Sequence, residues 1–130
     1  LEGDGVNLTS EEAGMNVNLL ADDTVLAFSG DVDMNSQLLG GAVRDFNVMT
    51  KRGMWQAQVS VWSEAASVEA QAGLILQTGG QARCEHVEGE VLLRTEQGCW
   101  WQGRMVSLHW QPLSADAKAI MVTLYVLYAQ

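Results

Sequence analysis

Residues 54–62, Met-Trp-Gln-Ala-Gln-Val-Ser-Val-Trp, alternate apolar and polar side chains along their whole length. A period of two marks a half-buried β-strand, because successive side chains of an extended chain point to opposite faces. Trp55, Ala57, Val59 and Val61 are expected to face a core, with Gln56, Gln58 and Ser60 outward. Shorter candidate strands, some alternating and some apolar throughout, follow at 6–9, 15–19, 24–28, 42–50, 73–77, 82–87, 90–95, 99–101 and 104–110, and a long apolar stretch closes the chain at 118–129. Gly3-Asp4-Gly5, Gly40-Gly41 and Glu88-Gly89 punctuate them, and Thr78-Gly79-Gly80 reads as a hairpin turn. Residues 63–71, rich in Ala and Glu, read as a short helical turn. Strands this short, at such regular spacing, predict one all-β domain over residues 1–130, a sandwich or a barrel.

Net charge narrows the function. Sixteen acidic residues against seven basic ones give −9, which argues against nucleic acid and anionic membranes, since both are gripped by basic surfaces. Arg44, Lys51, Arg52, Arg83, Arg94 and Arg104 could still form a local positive site for a small anion. No apolar run approaches the roughly 18 residues that cross a bilayer, and no signal-peptide pattern opens the chain, so a soluble protein of the cytoplasm is expected. The opening at Leu1 leaves room for a missing natural start. Cys84 and Cys99 are too few for a disulfide framework and too distant for a CxxC motif, and read as buried thiols.

No catalytic constellation stands out. His86 and His109 lack a His-x-His pair or a carboxylate at ligand spacing, so no metal is expected, and each imidazole is assigned one hydrogen bond on a strand. Cys84 and His86 share a strand face, but positions i and i+2 lie about 6.5 Å apart, too far for direct activation of a thiol. The glycines form no phosphate-binding loop. Trp100 and Trp101 place one ring on each face of their strand.

The stretch 28–52, and 42–50 within it (Ala-Val-Arg-Asp-Phe-Asn-Val-Met-Thr), is the most informative. As a strand it would place Val43, Asp45, Asn47 and Met49 on one face, and Arg44, Phe46, Val48 and Thr50 on the other. A carboxylate and an amide then lie side by side between apolar neighbours. If buried, they need partners, because an unsatisfied buried polar group costs roughly 1–3 kcal/mol. A bound ligand would serve, and so would water at an edge or a barrel mouth.

Phe-Ser-Gly-Asp at 28–31, followed by Leu38-Leu39-x-Gly-x-Val-Arg-Asp-Phe-Asn-Val-Met-Thr-Lys-Arg ending at Arg52, resembles the signature block of the HutD/Ves family. Gln97-Gly98-Cys99-Trp100-Trp101-Gln102-Gly103-Arg104 is similar to its second block, and Leu1-Glu2-Gly3 to the end of an earlier family strand. The resemblance implies a cupin-like β-barrel or sandwich of two related halves, here the end of the first half plus the second. The family's N-terminal third, with its Trp/Arg-rich opening, has no counterpart in residues 1–130. The resemblance further implies a link to histidine utilisation and, for Ves members, to stress. Its pocket block falls on Asp45, Phe46, Asn47 and Met49.

Together these readings predict a non-catalytic small-molecule binding protein, without metal or cofactor and homodimeric. It would take a small carboxylate intermediate of histidine degradation (urocanate or N-formylglutamate) in a regulatory role. Asn47 would both donate and accept, Asp45 would orient it or take a ligand N–H, Phe46 or Met49 would form the apolar wall, and a nearby Arg would clamp the carboxylate. The alternatives are a metal-free cupin-type isomerase or epimerase using Asp45, His109 or a Tyr as acid and base, and a β-domain for assembly.

Overall fold

The structure, a computed structural model, describes residues 1–127, and its contacts separate into two compact units, Leu1–Met49 and Thr50–Gln130. Among the described residues every regular element is a strand, and all strand pairs are antiparallel. The expected all-β class holds.

In the first unit β1 (Val6–Ser10) lies between β2 (Met15–Leu19) and β3 (Asn35–Leu38). Its register explains the sequence alternation. Asn7 faces Asn18 and Gln37, and Thr9 faces Asn16 and Asn35, so one face of this small sheet is wholly amide and hydroxyl. Asn7 Nδ2 donates to both Asn16 Oδ1 (2.9 Å) and Asn18 Oδ1 (2.8 Å), tying β1 to β2 across that face. Val6, Leu8, Val17, Leu19 and Leu38 share the other. Residues 24–28, expected as a strand, join no ladder; their apolar run meets no partner edge among the described residues.

The second unit is a six-stranded sheet in the order β4-β9-β5-β8-β6-β7. Its strands are β4 (Trp55–Trp62), β5 (Ala66–Gly79), β6 (Gln81–His86), β7 (Gly89–Arg94), β8 (Gly98–Pro112) and β9 (Lys118–Val126). The helical turn expected at 63–71 is instead the start of β5, the second longest strand. Helix propensity there is only a weak prior, and Ser67 and Glu69 face outward while Val68 and Ala70 turn inward, a period that only a strand can serve. The two runs 99–101 and 104–110 are one strand, and the expected Gln102-Gly103 turn is a bend within it. Thr78-Gly79-Gly80 does turn the chain from β5 into β6, with Gly80 at φ +60°. The last residues of the apolar stretch 118–129 lie outside the described residues.

This sheet folds across itself. Ala66 pairs with Trp110 on β8, yet the Trp110 indole Nε1 donates to Gln77 Oε1, 3.0 Å away and eleven residues further along β5. A straight strand would separate those positions by about 36 Å at 3.3 Å per residue. The bend sits where the β5–β8 register slips between Ala70 and Ala72 and where Gly103 takes φ +94°. Bulges are where sheets turn corners. Here the carbonyl of Ala70 is satisfied by Trp101 Nε1 at 2.9 Å. Beyond the corner, Trp101 lies flat against Gly73, where an added Cβ would sit 2.5 Å from the indole ring. The result is a β-sandwich: β4, β9 and the second half of β5 form one layer, and β6, β7 and the second half of β8 the other.

Between the layers, Ile75, Ala119 and Met121 meet Ala82, Cys84, Leu93, Leu108 and Trp110. Trp62 packs on Trp110 with ring centroids 6.2 Å apart. Burying one such large side chain contributes about 1.5–3 kcal/mol. Gln77 is fully buried among them with both ends engaged, its Nε2 donating to the Gly79 carbonyl at 2.7 Å.

Gln77→Ala is expected to destabilise the fold by about 1–3 kcal/mol through the orphaned Trp110 N–H alone, before any cavity cost. Gly73→Ala should cost a similar amount, about 1–3 kcal/mol, by pushing Trp101 off the corner. Urea unfolding followed by tryptophan fluorescence measures both; a midpoint unchanged in either variant would contradict the account of the corner.

Candidate functional site

Residues 42–50 do not form the expected strand. Arg44 alone makes a bridge, to Glu2, through paired backbone bonds of 2.6 and 3.0 Å, and Arg44 Nε donates to Glu2 Oε2 at 2.8 Å. Beyond it residues 45–50 join no strand among the described residues. Asp45 and Asn47 still point the same way, and Asn47 Nδ2 donates to Asp45 Oδ2 at 2.9 Å. Both are exposed, so the enclosed face is not seen, and the carboxylate and amide satisfy one another in part. Phe46 is 38% and Met49 88% exposed, open apolar surface in the same segment.

Two hollows are formed by other residues. One, about 440 Å³ in the first unit, lies between residues 13–17 and the loop carrying Ala27, Phe28, Ser29 and Val32, so the first two residues of the Phe-Ser-Gly-Asp block line it. The second, about 360 Å³, opens on the outer face of the second unit. There one row across three neighbouring strands reads Ser67 on β5, His109 on β8 and Glu85 on β6, and the next places Glu69 opposite Ser107. Ser67 Oγ and His109 Nδ1 are hydrogen-bonded at 2.7 Å. The sequence reading missed this row because it placed Ser67 in a helical turn, where no strand partner exists. The signal was present in the outward parity of Ser67 and Glu69 once β5 is allowed to begin at Ala66.

The remaining candidates resolve simply. Each histidine makes one hydrogen bond, His86 Nδ1 accepting the Glu88 N–H at 3.3 Å. Among the described residues no three His, Cys, Asp or Glu side chains are grouped to hold a metal. Arg83 lies 3.8 Å from Glu85 and 3.6 Å from Glu90, and Arg104 2.7 Å from Glu88. Bonding to Arg104 holds the Glu88 carboxyl below its usual range, as Arg44 does for Glu2. Cys84 is fully buried, and loss of hydration pushes its thiol up to about 12, with nearby Cys99 adding to the shift. It is a packing residue, as the sequence implied. Trp100 is 71% exposed while Trp101 packs inward, one ring per face as expected. No helix among the described residues is long and apolar enough to cross a membrane.

Sandwich, corner and site together define a small all-β protein with two chemically distinct surfaces. The profile of the HutD family matches residues 1–121, and the chain belongs to that family. Its fold is similar to that of the conserved protein of unknown function PA5104 from Pseudomonas aeruginosa PAO1, at TM-score 0.81 and 22% identity over 98% of this chain and 70% of that one. A cupin-2 domain protein from Shewanella frigidimarina NCIMB 400 aligns more loosely, at TM-score 0.42 and 9% identity over 65% of this chain and 83% of that one. No curated protein is significantly similar in sequence.

The Cys84 thiol should resist a thiol-exchange reagent at pH 8 in the native protein and react at once in urea. Its folded value lies above the unfolded one of 9.0. The unfolded chain thus loses this proton first, and stability contributed by the neutral thiol should fall as pH rises from about 9 toward 12. Rapid native-state labelling of Cys84, mapped by peptide mass, would refute the assignment.

Proposed function

We propose that this HutD-family chain is a non-catalytic binding protein of histidine utilisation, acting in the cytoplasm as a homodimer. Its ligand is a small carboxylate intermediate, urocanate or N-formylglutamate, read out in a regulatory role. The Asn47–Asp45 hydrogen bond carries this reading. It fixes the amide so that the Asn47 carbonyl oxygen can accept and the second Nδ2 hydrogen can donate, while Asp45 keeps an oxygen for a ligand N–H. Urocanate offers an imidazole N–H and N-formylglutamate a formamide N–H to that oxygen. Phe46 and Met49, exposed in the same segment, supply apolar surface that a flat or methylene-rich ligand would cover. Arg44, the residue immediately before Asp45, stands at the tied end of the same segment and can meet the ligand carboxylate.

Calorimetric titration with urocanate and with N-formylglutamate tests it. Asn47→Ala should weaken the bound ligand at least about tenfold, the loss of one or two hydrogen bonds worth about 1.5–3 kcal/mol to a charged group. The melting temperature should stay within a few degrees, because the pair is exposed. Equal affinity in wild type and variant would remove these residues from the site.

A further inference from the structure

We infer that Ser67 is an acyl-accepting nucleophile, served by His109 as its base, on the outer face of the second unit. This adds a second, separate site: the Asp45–Met49 segment remains a non-catalytic binding site, and the chemistry rests on different residues in the other unit. The pairing of β5 with β8 sets Ser67 directly opposite His109 on one sheet face, and the side chains meet at 2.7 Å. A hydroxyl in hydrogen-bond contact with an imidazole is the arrangement that activates serine. Access suits the role, since Ser67 is exposed and His109 half-buried beneath it. Glu85, on the other flank of His109, is placed to stabilise the imidazolium that proton transfer creates. Ser107, one row along and lining the same hollow, offers a hydroxyl to a developing oxyanion. The volume of about 360 Å³ suits a small acyl group.

The substrate class is a small activated ester or thioester. With its proton on Nε2, His109 takes the Ser67 hydroxyl proton at Nδ1 as Oγ bonds to the acyl carbon. Collapse breaks the bond to the leaving oxygen or sulfur, and the proton passes to that atom. In the second half water adds to the acyl carbon and gives a proton to His109. The Oγ–acyl bond then breaks, the acid leaves, and Ser67 recovers its proton. Atoms and electrons balance with ester and water alone.

The test is incubation of the full chain with p-nitrophenyl acetate, following p-nitrophenolate release and mapping the acetyl group by peptide mass spectrometry. The expected result is an acetyl group on Ser67, absent in Ser67→Ala. His109→Gln should slow its formation by about 10²–10⁴-fold, the usual contribution of a positioned base. Glu85→Gln should lower the acylation rate at saturating ester without changing the half-saturating concentration, and Glu85→Asp should restore part of it. Circular dichroism confirms that each variant is folded. Ser67 lies on an exposed surface, and wild-type mapping alone already decides the question. Acetylation confined to lysines or the N-terminus, or a Ser67 adduct formed equally fast without His109, overturns the proposal.

Discussion

The hydrogen bond from Trp110 to Gln77 is the interaction on which the second unit depends. It joins a side chain near the end of β8 to one near the end of β5, positions that a flat sheet would hold far apart. In a dry interior neither group has water to fall back on, so each specifies where the other must be. Apolar packing alone tolerates sliding; a buried donor with one acceptor does not. The bond therefore fixes how far the sheet folds over, and the bulge at Ala70/Ala72 supplies the bend that makes it reachable. Trp101 completes the corner by capping the Ala70 carbonyl and lying on Gly73, which is why that position carries no side chain.

Folding the sheet over sorts its residues into three environments. The interior is filled by Trp110, Met121, Ile75 and their neighbours, with Trp62 stacked obliquely on Trp110. Chemistry in this unit consequently belongs to the outer faces. There the strand period brings polar groups into rows, and antiparallel register decides which meet. Ser67, His109 and Glu85 are adjacent for that reason alone, although Ser67 and His109 are 42 residues apart in sequence.

Much of the fold was legible because alternation reports strands directly. The hairpin at Thr78-Gly79-Gly80, the strand 54–62 and the opposed rings of Trp100 and Trp101 all follow from local pattern and turn chemistry. What could not be read was pairing. Residues 24–28, an apolar run, and 42–50 look like strands in sequence, but among the described residues they meet no edge beyond the Glu2–Arg44 bridge, and whether an edge is available is a tertiary fact. The start of β5 was hidden for the converse reason: Ala and Glu favour helix locally, and burial of Val68 and Ala70 against the opposite layer overrides them. Gln77 gave no sign at all, since a glutamine after an apolar run looks like the place where a strand surfaces. Of the candidate site, the common direction of Asp45 and Asn47 was visible, but their exposure was not.

Electrostatics bears on how so acidic a chain would hold a carboxylate. Three of its five arginines stand in ion pairs: Arg44 with Glu2, Arg83 with Glu85 and Glu90, Arg104 with Glu88. These pairs are solvent-exposed, and an exposed ion pair contributes little, because water and salt screen it and both side chains lose freedom. That weakness matters at Arg44. A ligand carboxylate arriving beside Asp45 and Asn47 replaces one carboxylate by another on the same guanidinium, so the exchange is nearly neutral in charge–charge energy. Selectivity then has to come from the uncharged contacts, the Asn47 amide and the faces of Phe46 and Met49. On the proposed reading, the arginine supplies attraction to any small acid, and the amide beside Asp45 decides which acid stays.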